Sequence, residues 1–138
     1  MIKKLIKNEP KMLAGEHIVS YCGNLQTNER LLIIFDNTTE KLLDFIEKPA
    51  LKITNKIKKD KIEILEQHGL EPSYETSALM QEADLIIAMT SKSLAHTKAR
   101  NNACLKGARY LSLAEYTKDV LENEAILGVK KNKINYLR

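Results

Sequence analysis

The sequence predicts an α/β fold, a small parallel sheet flanked by helices on both faces. Three observations carry that prediction. Two short runs, Leu31-Leu32-Ile33-Ile34-Phe35 and Leu85-Ile86-Ile87-Ala88-Met89, are apolar at every position. That is the pattern of strands buried on both faces, not of strands with one wet side. Each run gives way to a polar turn, Asp36-Asn37-Thr38-Thr39 in one case and Thr90-Ser91-Lys92-Ser93 in the other, and then to residues with helical apolar spacing. Strand and helix signatures then alternate along the chain, as βαβ units require.

Taking the elements in order, Met12, Leu13, Ile18, Val19, Cys22 and Leu25 fall on one face of a helix running from about Lys11 to Gln26. Gly15 weakens its start or marks a break between two short helices. Asn28-Glu29-Arg30 turns the chain into a strand at Leu31–Asp36. Thr38 or Thr39 can cap the next helix with a hydroxyl, and Glu40 suits its positive end. Leu42, Leu43, Phe45 and Ile46 form that helix's inner face. Pro49 lacks an N–H, so the helix either kinks there or gives way to a second one, with Leu51, Ile53, Ile57 and Ile62 continuing the apolar pattern. A strand near Lys61–Leu65 is only faintly signalled. The run Lys52, Lys56, Lys58, Lys59, Lys61 then reads as the solvated side of a helix.

His68-Gly69-Leu70-Glu71-Pro72 is a turn. Tyr74–Glu82 follows as a short helix, Leu85–Met89 as a strand, and Ser93–Lys106 as a helix closed by Gly107. Ala108–Leu113 is a further strand and Thr117–Glu124 a further helix. Right-handed crossovers put the turns after each strand along one edge of the sheet, in a Rossmann-like or flavodoxin-like unit.

A chain of 138 residues suits a single domain with a proper core. The net charge of +4 is a mild excess that favours an anionic ligand, but its lysines are scattered and aromatics are few, which argues against nucleic acid. Cys22 and Cys104 form no CxxC pair, so no disulfide framework is expected and a reducing cytoplasm is the simplest home. The basic start Met1–Lys7 has no apolar core for a signal peptide, and no apolar run approaches the roughly 20 residues that span a bilayer.

The stretch Leu85-Ile86-Ile87-Ala88-Met89-Thr90, with Ser93-Leu94-Ala95-His96-Thr97-Lys98-Ala99-Arg100 and Gly107-Ala108-Arg109-Tyr110-Leu111-Ser112-Leu113, resembles the N-terminal domain of the metal-dependent aminopeptidase T-like (thermophilic leucyl aminopeptidase) family. Asn28–Asp36 and Gly69-Leu70-Glu71-Pro72 resemble it too, so the likeness runs from about Gly15 to Leu121. The resemblance implies a cytoplasmic exopeptidase that uses a pair of divalent metals (zinc, cobalt or manganese). It also implies that the metal ligands belong to a C-terminal catalytic domain with no counterpart here. On this reading the chain itself carries no cofactor and no catalytic residues. It is a non-catalytic domain that supports or gates the catalytic one, with that domain or a second copy of itself as partner.

The bare residues agree with the missing centre. His17, His68 and His96 are far apart, there is no HExxH, and a two-metal hydrolase needs several ligands converging on ions about 3.5–4 Å apart.

The residues that could bind something lie where strands hand over to helices, the usual ligand edge of an open α/β sheet. Asp36 and Thr38 follow the first strand; Thr90, Ser93, His96, Thr97 and Arg100 follow the third. His96 and Arg100, four apart, are expected on one helix face near its positive end, where free N–H groups favour an anion. The alternative to the exopeptidase domain is therefore a free-standing module that binds a small anionic metabolite there. The plain structural alternatives are that Asp36 is satisfied by its own turn, that Ser93 is an N-cap, and that the set only packs or docks. No glycine-rich GxGxxG or Walker pattern follows either strand. Ala95, Ala99 and Ala103 read as close packing of helix on sheet, and both cysteines as small buried apolar residues.

Overall fold

A computed structural model describes residues 13–113 and 135–137. The expected helix at Thr117–Glu124, the basic start and most of the tail lie outside the described residues. Strands β1 (Leu31–Phe35), β2 (Ile57–Lys61), β3 (Leu85–Ala88), β4 (Arg109–Ser112) and β5 (Asn135–Leu137) form one sheet in the order β2-β1-β3-β4-β5. The first four are mutually parallel, and β5 runs antiparallel to β4 at the edge.

The helices are α1 (13–22), α2 (Asp44–Leu51), α3 (Tyr74–Glu82) and α4 (Lys98–Leu105), with a single 3₁₀ turn at Glu40–Leu42 before α2. They divide between the two faces as the continuous apolar strands demand. Leu31, Ile33, Leu85, Ile87 and Leu111 pack with Ile18, Val19 and Cys22 of α1 and Ile46 and Ala50 of α2. Leu32, Ile34, Ile86 and Tyr110 pack with Met80 of α3 and Ala99 and Ala103 of α4. Successive strand residues alternate between these two clusters, as a period of two dictates. The small side chains Ala99 and Ala103 let α4 lie close to the sheet, with Ala95 buried just before it.

The expected strands at 31–36, 85–89 and 108–113 and the helix Tyr74–Glu82 are found within a residue at each end, with Ser73 capping α3 through the Thr76 amide. Gly107 (φ +105°) follows α4 in the left-handed region. Its N–H reaches Cys104 O, and Ala108 N–H reaches Ala103 O, which is a Schellman ending.

Four expectations are corrected. Gly15 does not break the first helix. The α-helical residues 13–16 continue as a π-helix over His17–Cys22, with Gly23 N–H closing on Ile18 O. Gly15 is instead a point of close approach: a Cβ there would lie 1.7 Å from the Phe45 carbonyl oxygen of α2. Pro49, four residues on, has no N–H to offer that same carbonyl.

The second correction is that α2 runs through Pro49 and ends at Leu51, so no new helix begins there. Third, the segment read as the lysine-rich side of a helix is strand β2, at the sheet edge, with Lys58, Lys59 and Lys61 exposed. Charged residues, lysine above all, are what an edge strand carries to discourage stray pairing, and here they hide the strand signal. Fourth, neither Thr38 nor Thr39 caps a helix with its hydroxyl. The residues at the N-cap positions of the 3₁₀ turn and of α2, Thr39 and Leu43, make no side-chain cap.

Candidate functional site

The chain leaves β1 for β2 on one side and returns to place β3 on the other side of β1. The crevice beyond the C-terminal ends of β1 and β3 is therefore the point where connections diverge, the default ligand position of such sheets. Asp36 lies in that crevice and is fully buried. One carboxylate oxygen accepts from the Thr38 amide (2.9 Å) and hydroxyl (2.6 Å). The other accepts from the Ser91 amide (2.7 Å) and hydroxyl (2.9 Å), across from the β3 loop. Burial alone would raise its pKa, but the donors from Ser91 and Thr38 together outweigh it and hold the carboxyl below its ordinary value. Asp36 is thus an ionised latch between two strand-end turns, and Thr38 is spent on it.

The second group lies after β3. Thr90 is buried and its hydroxyl donates to Lys92 O. Ser93 Oγ accepts from the Ala95 amide (3.0 Å), while the Ser93 amide donates to His68 Nδ1 (2.8 Å). The helix begins at Lys98, later than its expected start at Ser93, and its N-cap is Thr97. The Thr97 hydroxyl accepts from the Arg100 amide (3.1 Å) and donates to Leu94 O (2.7 Å).

His96 consequently sits in the turn ahead of α4, exposed, instead of sharing a helix face with Arg100. Arg100 Nε donates to Ala95 O (2.8 Å). The first amides of α4 are already taken by an anion, because Glu71 binds the Lys98 and Ala99 N–H groups with its two carboxylate oxygens (2.8 and 3.1 Å). Neither Glu71 nor His68 belongs to the set expected from sequence. They arrive from the turn before α3, and no local spacing ties that turn to residues 93–99.

The seven expected residues therefore fall into two groups, bridged through Ser91 beside Thr90. Among the described residues no hydrogen bond joins Asp36 or Thr38 to Ser93, His96, Thr97 or Arg100. Under the second group, the Tyr110 hydroxyl is buried close to Ser112 and the Leu94 backbone. Burial holds its pKa far above the ordinary tyrosine value, so it stays neutral.

Two grooves lie at opposite ends of β2. One, of about 540 Å³, is lined by Leu32, Asn55, Lys56, Lys58, Leu79 and Ala83 among others. The other, of about 520 Å³, is lined by Asn37, Lys61, Ile62, Glu63 and Ile64. At the opposite end of the central strands, Arg109 clamps the loop before β1. Its guanidinium makes a two-pronged pair with Glu29 (2.9 and 2.6 Å) and also donates to Gly23 O (3.1 Å) and Asn24 O (3.3 Å). Hydrogen bonding from Arg109 holds the Glu29 carboxyl below its usual range.

Among the described residues, no group of three or more His, Cys, Asp or Glu is placed to hold a metal ion. No described helix is long and apolar enough to cross a membrane. Fold and site together define an α/β domain of doubly wound type whose usual ligand edge is closed by its own side chains. No protein-family model matches the chain, and no curated protein or solved structure matches it either.

Proposed function

We propose that this chain is the N-terminal, non-catalytic α/β domain of an aminopeptidase T-like metallo-exopeptidase. The surface around His96 and Lys98 docks onto the metal-holding domain and supports it or gates its entrance. The observation that carries this reading is the closure of the strand-end loop. Asp36 holds Ser91, His68 holds Ser93, and Glu71 holds Lys98 and Ala99, all through backbone amides, while the side chains of His96 and Lys98 stay exposed. A loop fixed in this way loses little entropy on docking, which suits a rigid interface. A free small anion is less well served, because it must displace the tethered Glu71 carboxylate from the helix amides.

Two measurements test the proposal. The purified chain is assayed on aminoacyl-p-nitroanilides with zinc, cobalt or manganese, and robust metal-dependent turnover overturns the non-catalytic role. The chain is also titrated onto a separately expressed metal-binding domain of an aminopeptidase T-like enzyme. Binding is expected, weakened about tenfold or more by His96→Ala with Lys98→Glu while the melting temperature holds. Absence of binding overturns the docking role.

A further inference from the structure

We infer that β2 is a self-complementary edge that pairs antiparallel with β2 of a second copy, joining two sheets into one across a twofold axis at Lys59. This rests on the edge itself and not on the exopeptidase reading. Lys56 O accepts from Leu31 N–H and Ile62 N–H donates to Phe35 O, so the even-numbered residues of β2 bond inward to β1. Along a strand the backbone groups of successive residues point to opposite sides. Ile57, Lys59 and Lys61 therefore turn their N–H and C=O groups outward, and among the described residues no other strand takes them.

Three outward residues centred on Lys59 are the set an antiparallel twofold needs, since 57 then faces 61 and 59 faces 59. The same register sets Lys58 of each copy opposite Asp60 of the other, giving two opposite-charge cross-strand pairs. A strand with a basic residue opposite Lys58 is refused; a strand offering an acid at this register is admitted. Lys59, on the axis, is held by Glu47 of its own chain (3.1 Å), which lowers the cost of bringing two lysines together.

The grooves support the same axis. The twofold lays the chain leaving β2 in one copy along the chain entering β2 in the other. The half-exposed Ile64 and the groove it lines are thereby brought to the apolar floor formed by Leu32, Leu79 and Ala83. The interface is isologous and closes on itself, so it yields dimers and not fibres.

The test is light scattering after size exclusion over a wide range of protein concentration. The wild-type mass should climb from 15.7 kDa toward twice that value. Lys58→Asp and Asp60→Lys should each remain monomeric alone, and mixing them in equal amounts should restore the dimer, because every 58–60 contact is again of opposite charge. Lys59→Pro, which removes an outward N–H and leaves the ladder to β1 intact, should also be monomeric. A wild type that stays monomeric overturns the inference, as does a dimer untouched by these changes or a mixture that fails to pair. Asp60 also accepts from the Thr76 hydroxyl (2.6 Å). Should Asp60→Lys not fold, Lys58→Asp and Lys59→Pro decide: both monomeric upholds the pairing, and either one still dimeric overturns it.

Discussion

Replacing Asp36 with alanine should cost this domain a large share of its stability, by an amount that shrinks in acid. The substitution strands two backbone donors, Ser91 N–H and Thr38 N–H, at 2.7 and 2.9 Å from a carboxylate that is no longer there. The two hydroxyls can rotate toward other acceptors or water, but the amides cannot. Each charge-assisted bond contributes about 1.5–3 kcal/mol, so losing two costs roughly 3–6 kcal/mol from a total of about 5–15. At about 2–4 °C per kcal/mol for a domain near this size, the melting temperature falls by roughly 6–24 °C.

The pH dependence has a definite sign. Asp36 titrates below its ordinary value of 3.8 when folded, so its contribution is fully present above the unfolded value and is lost as pH falls through the folded one. The gap between wild type and Asp36→Ala should therefore be constant from neutrality down to about pH 5 and narrow below it. Glu29 and Asp84, also depressed, occur in both proteins and cancel in the difference. The chain has no tryptophan, so urea unfolding followed by far-ultraviolet circular dichroism is the assay. A gap under about 1 kcal/mol at pH 7, or one that does not narrow in acid, would refute the latch.

Gly15→Ala puts a methyl group 1.7 Å from the Phe45 carbonyl oxygen, a backbone atom that cannot swing aside, so the loss should be about 3 kcal/mol or more in thermal melts. Gly107→Ala meets nothing within 4 Å and suffers only its φ of +105°, so the same melts should show about 1–2 kcal/mol. Arg109→Ala should cost about 2–3 kcal/mol, and Arg109→Lys should recover little in urea titrations, because an ammonium cannot span both Glu29 oxygens and two carbonyls. Glu71→Ala removes the carboxylate from the first amides of α4 and should cost about 1 kcal/mol. It should also let inorganic phosphate raise the melting temperature, which it should not do for wild type.

Burial on both faces is what made the fold legible. β1 and β3 have no polar position, so their apolar runs stand out, and the turn residues that follow mark where each strand stops. The Tyr74–Glu82 helix is legible because the Gly69 and Pro72 turn precedes it and Leu79 and Met80 give it an inward side. The closing of the candidate site was not legible, and the reason is physical. Asp36–Ser91 and Glu71–Lys98 join residues 55 and 27 apart in sequence, and no period or motif encodes a contact that only the crossover geometry creates. Fold position says where donors gather. It does not say whether the chain supplies its own anion.

β2 failed to read as a strand for the reason that makes it interesting. Ile57-Lys58-Lys59-Asp60-Lys61 has no apolar face to detect, because a strand at a sheet edge is not enclosed. Its residues answer to neighbours on both sides instead. Lys58 reaches Glu82 of α3 on one face, while Lys59 reaches Glu47 of α2 on the other and Lys61 reaches Glu40 in the turn before it. Exposed pairs of this kind contribute little to stability, so they do not explain why three of five positions are lysine. What they do is keep the ammonium groups tethered beside the open edge, where a basic strand is repelled and a complementary one is favoured. Asp60 is the lone acid among them, and it sits one residue from the axis about which this strand complements itself. The feature that conceals the strand from periodicity is the one that restricts what can pair with it.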